Sequence, residues 1–389
     1  MGKTMLIENI TIADSTKAGI LGDVFLENGK ILEIAPSINR KADSRIDAAG
    51  KGWSVVPGFI DVHIHGASGF DVMDATAEAL NGLAHALPRE GTTSFLATTM
   101  TQTVENIEKA LENASSFVAD ETQAEMLGIH LEGPFISSKR AGAQPIEHIL
   151  PPSLSLFKKW QTLSGNRIKV VTLAPEMEEG LAFIEDITAD GVIASLGHSD
   201  ATAELVGEAV TAGARHVTHL YNQMSPFHHR EPGVVGAALL EEDLTVELIA
   251  DFIHSHPQAV ELTFRQKSAS GIILITDAMR AKGLAPGTYD LGGQDVVVTQ
   301  EGARLRDGTL AGSILTMEDA AKNMKAVTGC TVSELVAMTS TNAARQLGLT
   351  NKGSIEVGKD ADLTIIDEAW TVQMTICRGN ITYTKGDLS

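Results

Sequence analysis

Histidines give this sequence its clearest chemical signal. Two of the twelve histidines stand two residues apart at the end of an apolar run, in the order His63-Ile64-His65. Because side chains alternate between the two faces of a strand, both imidazoles would point to the same face. A lone histidine in a core is usually a hydrogen-bonded structural residue, whereas a pair at this spacing is also typical of metal ligands.

Further potential ligands stand where other short apolar runs end. They are His130, Glu132, His198, His219 and Asp277. In a barrel of parallel strands the carboxyl ends of the strands meet at one face, and active sites form there. Each of these residues alone could be a capping or packing group, but the whole set favours one shared site.

The residue types indicate a divalent metal ion. Neutral imidazoles together with a carboxylate suit zinc, iron or another first-row ion. Glu132, His198 and His219 can supply three ligands and leave one position open for water. His63 and His65 could hold a second ion beside the first, with Glu132 bridging the two.

Such a centre would support hydrolysis. A metal ion lowers the pKa of its bound water and polarises a carbonyl, while a nearby carboxylate takes the proton and returns it to the leaving group. Asp277 is the candidate for this carboxylate. The alternative is that Asp277 caps a helix that follows the last strand.

The elements that must position these residues are indicated by repeated βα units. From Pro57 onward, short apolar runs alternate with helical stretches, which favours a mainly parallel sheet. Eight candidate strands cover residues 59–65, 93–99, 126–132, 168–174, 192–198, 216–219, 245–251 and 272–277. Helical stretches cover residues 75–89, 104–119, 201–212, 257–267, 317–328 and 332–347. Eight strands close a (β/α)8 barrel, and no G-x-G-x-x-G follows the first strand to support a doubly wound open sheet instead.

Both ends of the chain carry β signals. Asn28-Gly29 separates two alternating apolar runs, which is typical of a hairpin, and short strands are indicated over residues 361–366 and 372–376. We therefore expect the segments 1–56 and 349–389 to form one small β domain beside a barrel over residues 57–348.

Composition limits the classes of protein and partner. The 389 residues are 43% apolar and carry a net charge of −20, which disfavours nucleic acid and requires a local cluster of cations for any anionic substrate. Two cysteines, no secretory signal and no long uncharged apolar run favour a cytoplasmic protein without a membrane partner.

The motifs around the candidate ligands resemble those of the amidohydrolase superfamily. Pro57-Gly58-Phe59-Ile60-Asp61 precedes the histidine pair, and Gly353-x-Ile355-x-x-Gly358-x-x-Ala361-Asp362-Leu363 lies near the carboxyl end. Five internal motifs are similar, in the same order, to those of the N-acetylglucosamine-6-phosphate deacetylases. They are His130-Leu131-Glu132-Gly133-Pro134-Phe135, Gly197-His198-Ser199, His219-Leu220-Tyr221-Asn222, Thr276-Asp277-Ala278-Met279 and Leu310-Ala311-Gly312-Ser313.

This resemblance implies hydrolysis of the N-acetyl group of N-acetylglucosamine 6-phosphate to glucosamine 6-phosphate and acetate, in amino-sugar catabolism or cell-wall recycling. By the same resemblance, Glu132, His198 and His219 bind the catalytic metal, and Asp277 is the general base and then the acid. One or two divalent ions per subunit are implied, with Zn²⁺ or Fe²⁺ favoured. The intact His63 and His65 leave room for two.

The resemblance also implies the residues that contact the sugar phosphate. Arg230 and His254 supply local cations, and the family's matching arginine reaches the phosphate from the neighbouring subunit, which implies a homodimer. The other matching positions are Ala143, Gln144, Asn222, Gln223, Leu310, Ala311 and Gly312. Some members of the family carry His at the position of Gln144 and Ala at the position of Gln223, so this chain departs from them at two sugar-contacting positions.

Two alternatives remain. Another metal amidohydrolase, acting on a cyclic amide or a dipeptide, would not need Arg230 and His254 for a neutral substrate. A barrel that has become a non-catalytic assembly protein would be expected to lack ligands, whereas Glu132, His198, His219 and Asp277 are all present.

Overall fold

The computed structural model describes residues 3–386. Its first elements are strands from the amino-terminal segment: β1 (Thr4–Asp14), β2 (Lys17–Glu27), β3 (Lys30–Ala35), β4 (Ser44–Asp47) and β5 (Ser54–Pro57). β2 and β3 form the expected hairpin, in which Asn28 and Gly29 occupy the left-handed region with φ of 51° and 76°. This pair of positive φ angles is the geometry for which Asn-Gly is favoured.

The middle of the chain forms the predicted barrel. Its eight strands pair in parallel in chain order, and a bridge from Ile64 to Ala278 links the first strand to the segment after the last. The barrel strands, with the short pair β7 and β8, are β6 (Phe59–Ile64), β7 (Gly66–Ala67), β8 (Phe70–Asp71), β9 (Thr92–Thr98), β10 (Glu125–Glu132), β11 (Ile168–Leu173), β12 (Ile193–Leu196), β13 (His216–Val217), β14 (Thr245–Leu248) and β15 (Ile272–Leu274).

Helices follow most barrel strands. They are α1 (Ala77–Ala86), α2 (Val104–Ser116), α3 (Leu154–Leu163), α4 (Gly180–Ala189), α5 (Ala203–Thr211), α6 (Gly233–Leu240) and α7 (Pro257–Lys267). Several begin at a hydroxyl cap: the side chains of Thr76, Thr103 and Thr202 each accept a backbone N–H in the first turn. None of the helices within residues 3–386 is both long and apolar enough to cross a membrane.

The first barrel strand places its ligands by simple alternation. Ile60 and Val62 pack in an apolar cluster with Ala343 and Ala344 of a carboxyl-terminal helix. His63, one residue on, is fully buried and contacts groups from other barrel strands instead. His63 therefore faces the barrel interior, on the opposite side of the strand from Ile60 and Val62.

A three-stranded antiparallel sheet follows the last barrel strand, where the sequence analysis predicted no element. It consists of β16 (Gly287–Leu291), β17 (Gln294–Thr299) and β18 (Gly302–Leu305). Gly292 and Gly293, with φ of 59° and 84°, make its first turn. Two side-chain amides tie this sheet to the barrel loops, because Gln102 donates to Gly292 O and Gln294 donates to Ala143 O, each at 2.7 Å.

The chain ends with helices that close the barrel and strands that return to the amino-terminal sheet. The helices are α8 (Met317–Thr328), α9 (Val332–Val336) and α10 (Asn342–Gln346), with a π-helical turn over Ala337–Thr341. The strands are β19 (Leu363–Ile366), β20 (Val372–Cys377) and β21 (Asn380–Thr384), and β19 pairs with β5. The small domain made from both termini is confirmed, whereas its boundaries at residues 56 and 349 stay predictions.

Candidate active site

The candidate metal ligands converge inside the carboxyl end of the barrel. Ligand atoms of Glu132, His198 and His219 lie within 4.8 Å of one another, and those of His63, His65 and Asp277 form a second group under the same limit. All of these side chains are buried, with Asp277 the most exposed of them at 9%.

Glu132 joins the two groups. Its Oε1 lies 3.1 Å from His219 Nε2, 3.3 Å from His198 Nε2 and 3.5 Å from His63 Nε2. Its Oε2 lies 3.4 Å from His65 Nε2. Glu132 therefore lies between the two groups, and its predicted role as a carboxylate shared by two ions stays a prediction.

Strained backbone directs three of these residues into the site. His198, His219 and Asp277 have φ of 48°, 31° and 48°, in the left-handed region that non-glycine residues seldom adopt. Three barrel strands end before the predicted limits, at Leu196, Val217 and Leu274, and His198, His219 and Asp277 follow in irregular segments. The predictions that residues 192–198, 216–219 and 272–277 are wholly strand were wrong at these ends.

Asp277 faces both the histidine pair and the open cavity. Its Oδ1 lies 3.3 Å from His65 Nε2 and 3.5 Å from His63 Nε2, and its backbone N–H donates to His63 O. The next α-helix along the chain, α8, is capped by Thr316. The alternative reading of Asp277 as a helix cap is therefore wrong.

The charges in this cluster shift the pKa values of its members strongly. Burial opposes protonation of His63, but the carboxylates of Glu247, Asp277 and Glu132 outweigh it and raise the His63 pKa to about 9. Burial also opposes ionisation of Glu132, yet the surrounding histidines hold the Glu132 pKa well below its usual range. The carboxylates are thus ionised at neutral pH and attract positive charge to the site.

This donor set fits a divalent ion. His198 Nε2 and His219 Nε2 lie only 3.1 Å apart beside the same carboxylate oxygen, and His63 Nε2 has no hydrogen-bond partner among the described residues. Buried imidazole nitrogens that converge on an anionic oxygen are a donor set that a divalent ion can share. The site can therefore hold a divalent metal ion.

Glu247 is a supporting residue that the sequence analysis missed. From β14, its Oε2 accepts hydrogen bonds from His63 Nδ1 at 2.8 Å and from the backbone N–H of His219 at 3.1 Å. It therefore contacts one member of each ligand group. The alternation of β14 could have pointed it inward, but only barrel closure brings it to His63, 184 positions away.

His130, quoted among the strand-end candidates, has a structural role in the barrel. Its ring contacts Val62 O at 3.0 Å and Thr172 Oγ1 at 2.7 Å. Burial and the neighbouring charge of His63 lower the His130 pKa to about 3, so this ring is neutral at physiological pH.

A cavity of about 330 Å³ opens from the ligand cluster. Most of the predicted sugar-contacting residues line it, namely Ala143, Gln144, Asn222, Gln223, His254, Leu310 and Gly312. Ala311 does not line it, because this residue is fully buried and its N–H donates to Ala303 O. The cavity wall also contains Met100, Leu291, Arg304 and Thr309, which the sequence analysis did not select.

Two of the polar lining residues are held by defined contacts. Gln144 donates to Glu132 Oε2 at 2.7 Å and accepts from the backbone N–H of Thr101 at 2.7 Å, so it orients the bridging carboxylate. His254 Nδ1 lies 2.6 Å from Asp251 Oδ2. Because Asp251 occupies that nitrogen, His254 has its Nε2 left for a ligand.

Arg230 lies outside the cavity of its own chain. It is exposed on the loop between Met224 and α6, where its guanidinium contacts His229 Nε2 at 2.8 Å. Beside this loop is a cavity of about 400 Å³ with a mainly apolar lining that includes Phe227, Leu240 and Leu262. Phe227 and Leu240 are 61% and 71% exposed, which is typical of a surface that another protein covers.

The family profile of the amidohydrolases matches residues 54–382. The chain belongs to the amidohydrolase family. This assignment covers the barrel, every candidate ligand and most of the carboxyl-terminal strands, so it agrees with both the fold and the donor set.

Named relatives of this amidohydrolase are similar over nearly their whole length. It is 51% identical over 379 residues to the N-acetylglucosamine-6-phosphate deacetylase of Lysinibacillus sphaericus, covering 97% of each chain. It is 50% identical over 388 residues to that of Bacillus subtilis strain 168, covering 98% of each. A solved structure of a Mycobacterium smegmatis N-acetyl-D-glucosamine-6-phosphate deacetylase in complex with N-acetyl-D-glucosamine-6-phosphate is similar with a TM-score of 0.90 and 29% identity, over 98% of this chain and 100% of that one.

Proposed function

We propose that this amidohydrolase hydrolyses the N-acetyl group of N-acetylglucosamine 6-phosphate, releasing acetate and glucosamine 6-phosphate, in amino-sugar catabolism or cell-wall recycling. The observation that carries the proposal is the full-length similarity, at 51% and 50% identity, to deacetylases of that name. The complete ligand cluster at the base of a cavity of about 330 Å³ supports it, since a hydrolase needs both.

Glu132, His198 and His219 would hold the catalytic ion, and His63 and His65 would hold a second ion with Glu132 shared. Zn²⁺ or Fe²⁺ suits these nitrogen and oxygen donors. When bound, such an ion supplies Lewis-acid polarisation of the acetyl carbonyl and a water molecule of lowered pKa.

Asp277 is proposed as the proton carrier. Its carboxylate lines the cavity, and the nearby imidazoles keep its pKa below the usual value despite burial, so the carboxylate is ionised. It would take the proton from the attacking water and then donate it to the departing amine nitrogen.

The rest of the cavity would recognise the sugar. Ala143, Gln144, Asn222, Gln223, Leu310 and Gly312 line the space between the ligand cluster and the opening, together with His254. Gln144 is proposed to have two roles, since it already contacts Glu132 and still faces the cavity. Ala311 was also predicted to contact the sugar, but its side chain does not line the cavity.

Arg230 is proposed to act across a homodimer. In its own chain it does not line the cavity, and it is exposed on the loop that also carries the exposed Phe227. A second copy that covers the exposed apolar surface around Phe227 and Leu240 would carry its own Arg230 toward the neighbouring site.

The predicted cytoplasmic location stays a prediction.

The test is acetate release by purified, metal-analysed protein. We expect rapid release from N-acetylglucosamine 6-phosphate and much slower release from unphosphorylated N-acetylglucosamine. A panel of cyclic amides and dipeptides covers the alternative substrates of the family. Release from one of these, with none from the phosphorylated sugar, would replace the proposal with another amidohydrolase activity, and no hydrolysis of any compound by the metal-loaded protein would favour a non-catalytic role.

A further inference from the structure

Arg304 is a positively charged side chain that lines the cavity and has no role in the proposed function above. Among the described residues that line this cavity, Arg304 is the one lysine or arginine. Arg304 is solvent-exposed, whereas Glu132 and His198 at the metal cluster are 2% and 4% exposed. The guanidinium therefore lies at the mouth, away from the reacting centre.

Arg304 has no acidic partner within residues 3–386. Its Nη1 donates to Gly308 O at 2.9 Å, and no ion pair joins it to a carboxylate in that part of the chain. Arg306, two residues on, differs in this respect because it pairs with Asp295 at 2.8 Å. In a protein with a net charge of −20, an arginine without a carboxylate at a cavity mouth is well suited to an anion.

Strand geometry places Arg304 on the side of the cavity that holds His254. Both Gly302 and Arg304 belong to β18, and side chains two residues apart share a strand face. A Cβ built on Gly302 would lie 3.4 Å from the Ile253 side chain, so this face of β18 packs toward the loop that carries His254. Arg304 and His254 line the same cavity from two elements that contact each other.

The substrate proposed above fits the separation between the buried ligand cluster and Arg304 at the cavity mouth. In N-acetylglucosamine 6-phosphate the acetamido group is on C2 and the phosphate is on C6, across the sugar ring. When the acetyl carbonyl lies at the buried metal cluster, the phosphate must lie farther out. Guanidinium groups bind phosphate with paired, charge-assisted hydrogen bonds, which makes Arg304 the suitable partner at that distance.

We propose that Arg304 binds the substrate phosphate from the same chain that supplies the metal ligands, beside His254. This inference rests on the proposed function. It assigns β18 a role in selecting phosphorylated over neutral sugars, in addition to any contribution of Arg230 from a second subunit.

The experiment compares Arg304→Ala with the matched control Arg306→Ala, which removes the same charge from the same segment outside the cavity. Steady-state kinetics are measured with N-acetylglucosamine 6-phosphate and with N-acetylglucosamine. We expect Arg304→Ala to raise KM for the phosphorylated sugar about tenfold or more, with kcat and the activity on the neutral sugar within about twofold of wild type. Arg306→Ala should match wild type with both.

Arg304→Lys and competitive inhibition complete the test. The lysine variant keeps the charge and should recover part of the lost affinity, and inorganic phosphate should inhibit wild type more strongly than Arg304→Ala. Equal KM changes in the alanine variants at 304 and 306, or equal loss of kcat/KM for both sugars in Arg304→Ala, would overturn the assignment. If wild type releases no acetate from the phosphorylated sugar, the proposed function itself fails, which is a distinct result.

Discussion

Asp277 has the position of a proton carrier in a hydrolytic site. It lies 3.3 Å from His65 and lines the cavity, and the nearby imidazoles lower its pKa and keep the carboxylate ionised. We predict that Asp277→Asn binds substrate with nearly unchanged KM but loses kcat by about 10²- to 10⁴-fold. Kinetics and metal analysis of the same sample make the check, with Asp295→Asn on the outer sheet as the control. Near-normal turnover with full metal content would remove Asp277 from the mechanism.

Glu247 gives a second prediction at the scale of single residues. Its carboxylate holds the His63 ring and the His219 backbone N–H, so Glu247→Gln should disturb both ligand groups without changing side-chain size. We expect metal affinity to fall by about 10- to 100-fold, as for other groups that orient metal ligands. Metal retained after dialysis against graded chelator measures this. Glu242→Gln, exposed on the same segment, should retain metal like wild type, and equal retention by both variants would refute the role of Glu247.

The residue types at strand ends allowed the clustering of the candidate ligands to be predicted, because few structural roles need histidines and acids at so many such positions. Glu132, His198 and His219 do meet in space. Glu247 was not predictable with equal ease, since a glutamate in a short strand is normally a surface residue. Only the closed barrel shows that its carboxylate is fully buried against His63.

At the scale of elements, Lys352 connects the terminal sheet to the barrel. Its buried ammonium pairs with Glu125 at the start of β10, at 2.7 Å, and with Asp362 beside β19. We predict that Lys352→Met lowers the free energy of unfolding by about 3–5 kcal/mol, because it leaves Asp362 buried without its cation. Urea denaturation measures the change. Lys30→Met, which removes a more exposed partner of Asp360, should cost about 1 kcal/mol or less, and equal effects would contradict the special position of Lys352.

Periodicity predicted the barrel elements better than their ends or the outer sheet. α7 and α8 have the predicted bounds, because caps and amphipathic spacing are local signals. Barrel strands end early where positive φ angles turn His198 and Asp277 into the site, a strain that the surrounding fold imposes. The sheet β16–β18 was missed because its strands are only four to six residues long and tight turns, Gly292-Gly293 and Gln300-Glu301, separate them.

At the scale of the whole molecule, the position of Arg230 predicts that sites are completed between subunits. The test mixes two variants of low activity, Arg230→Ala and Asp277→Asn. Subunits of the first variant keep Asp277, and subunits of the second keep Arg230. If the arginine acts across the dimer, a mixed dimer contains one complete site, so an equal mixture should recover about a quarter of wild-type activity after exchange. Activity measured before and after subunit mixing makes the test. No recovery, in samples whose mass confirms mixed dimers, would place Arg230 in its own site or outside catalysis.

The most direct test of the whole account is metal titration of the chelated, metal-free protein, followed by acetate release from N-acetylglucosamine 6-phosphate. The cluster bridged by Glu132 predicts no release without metal and a rise to a plateau at one or two equivalents of Zn²⁺ or Fe²⁺ per subunit. Glu132→Gln should show no such plateau. Full activity in the metal-free protein, or an unchanged titration in Glu132→Gln, would contradict the claim that this cluster is the hydrolytic centre.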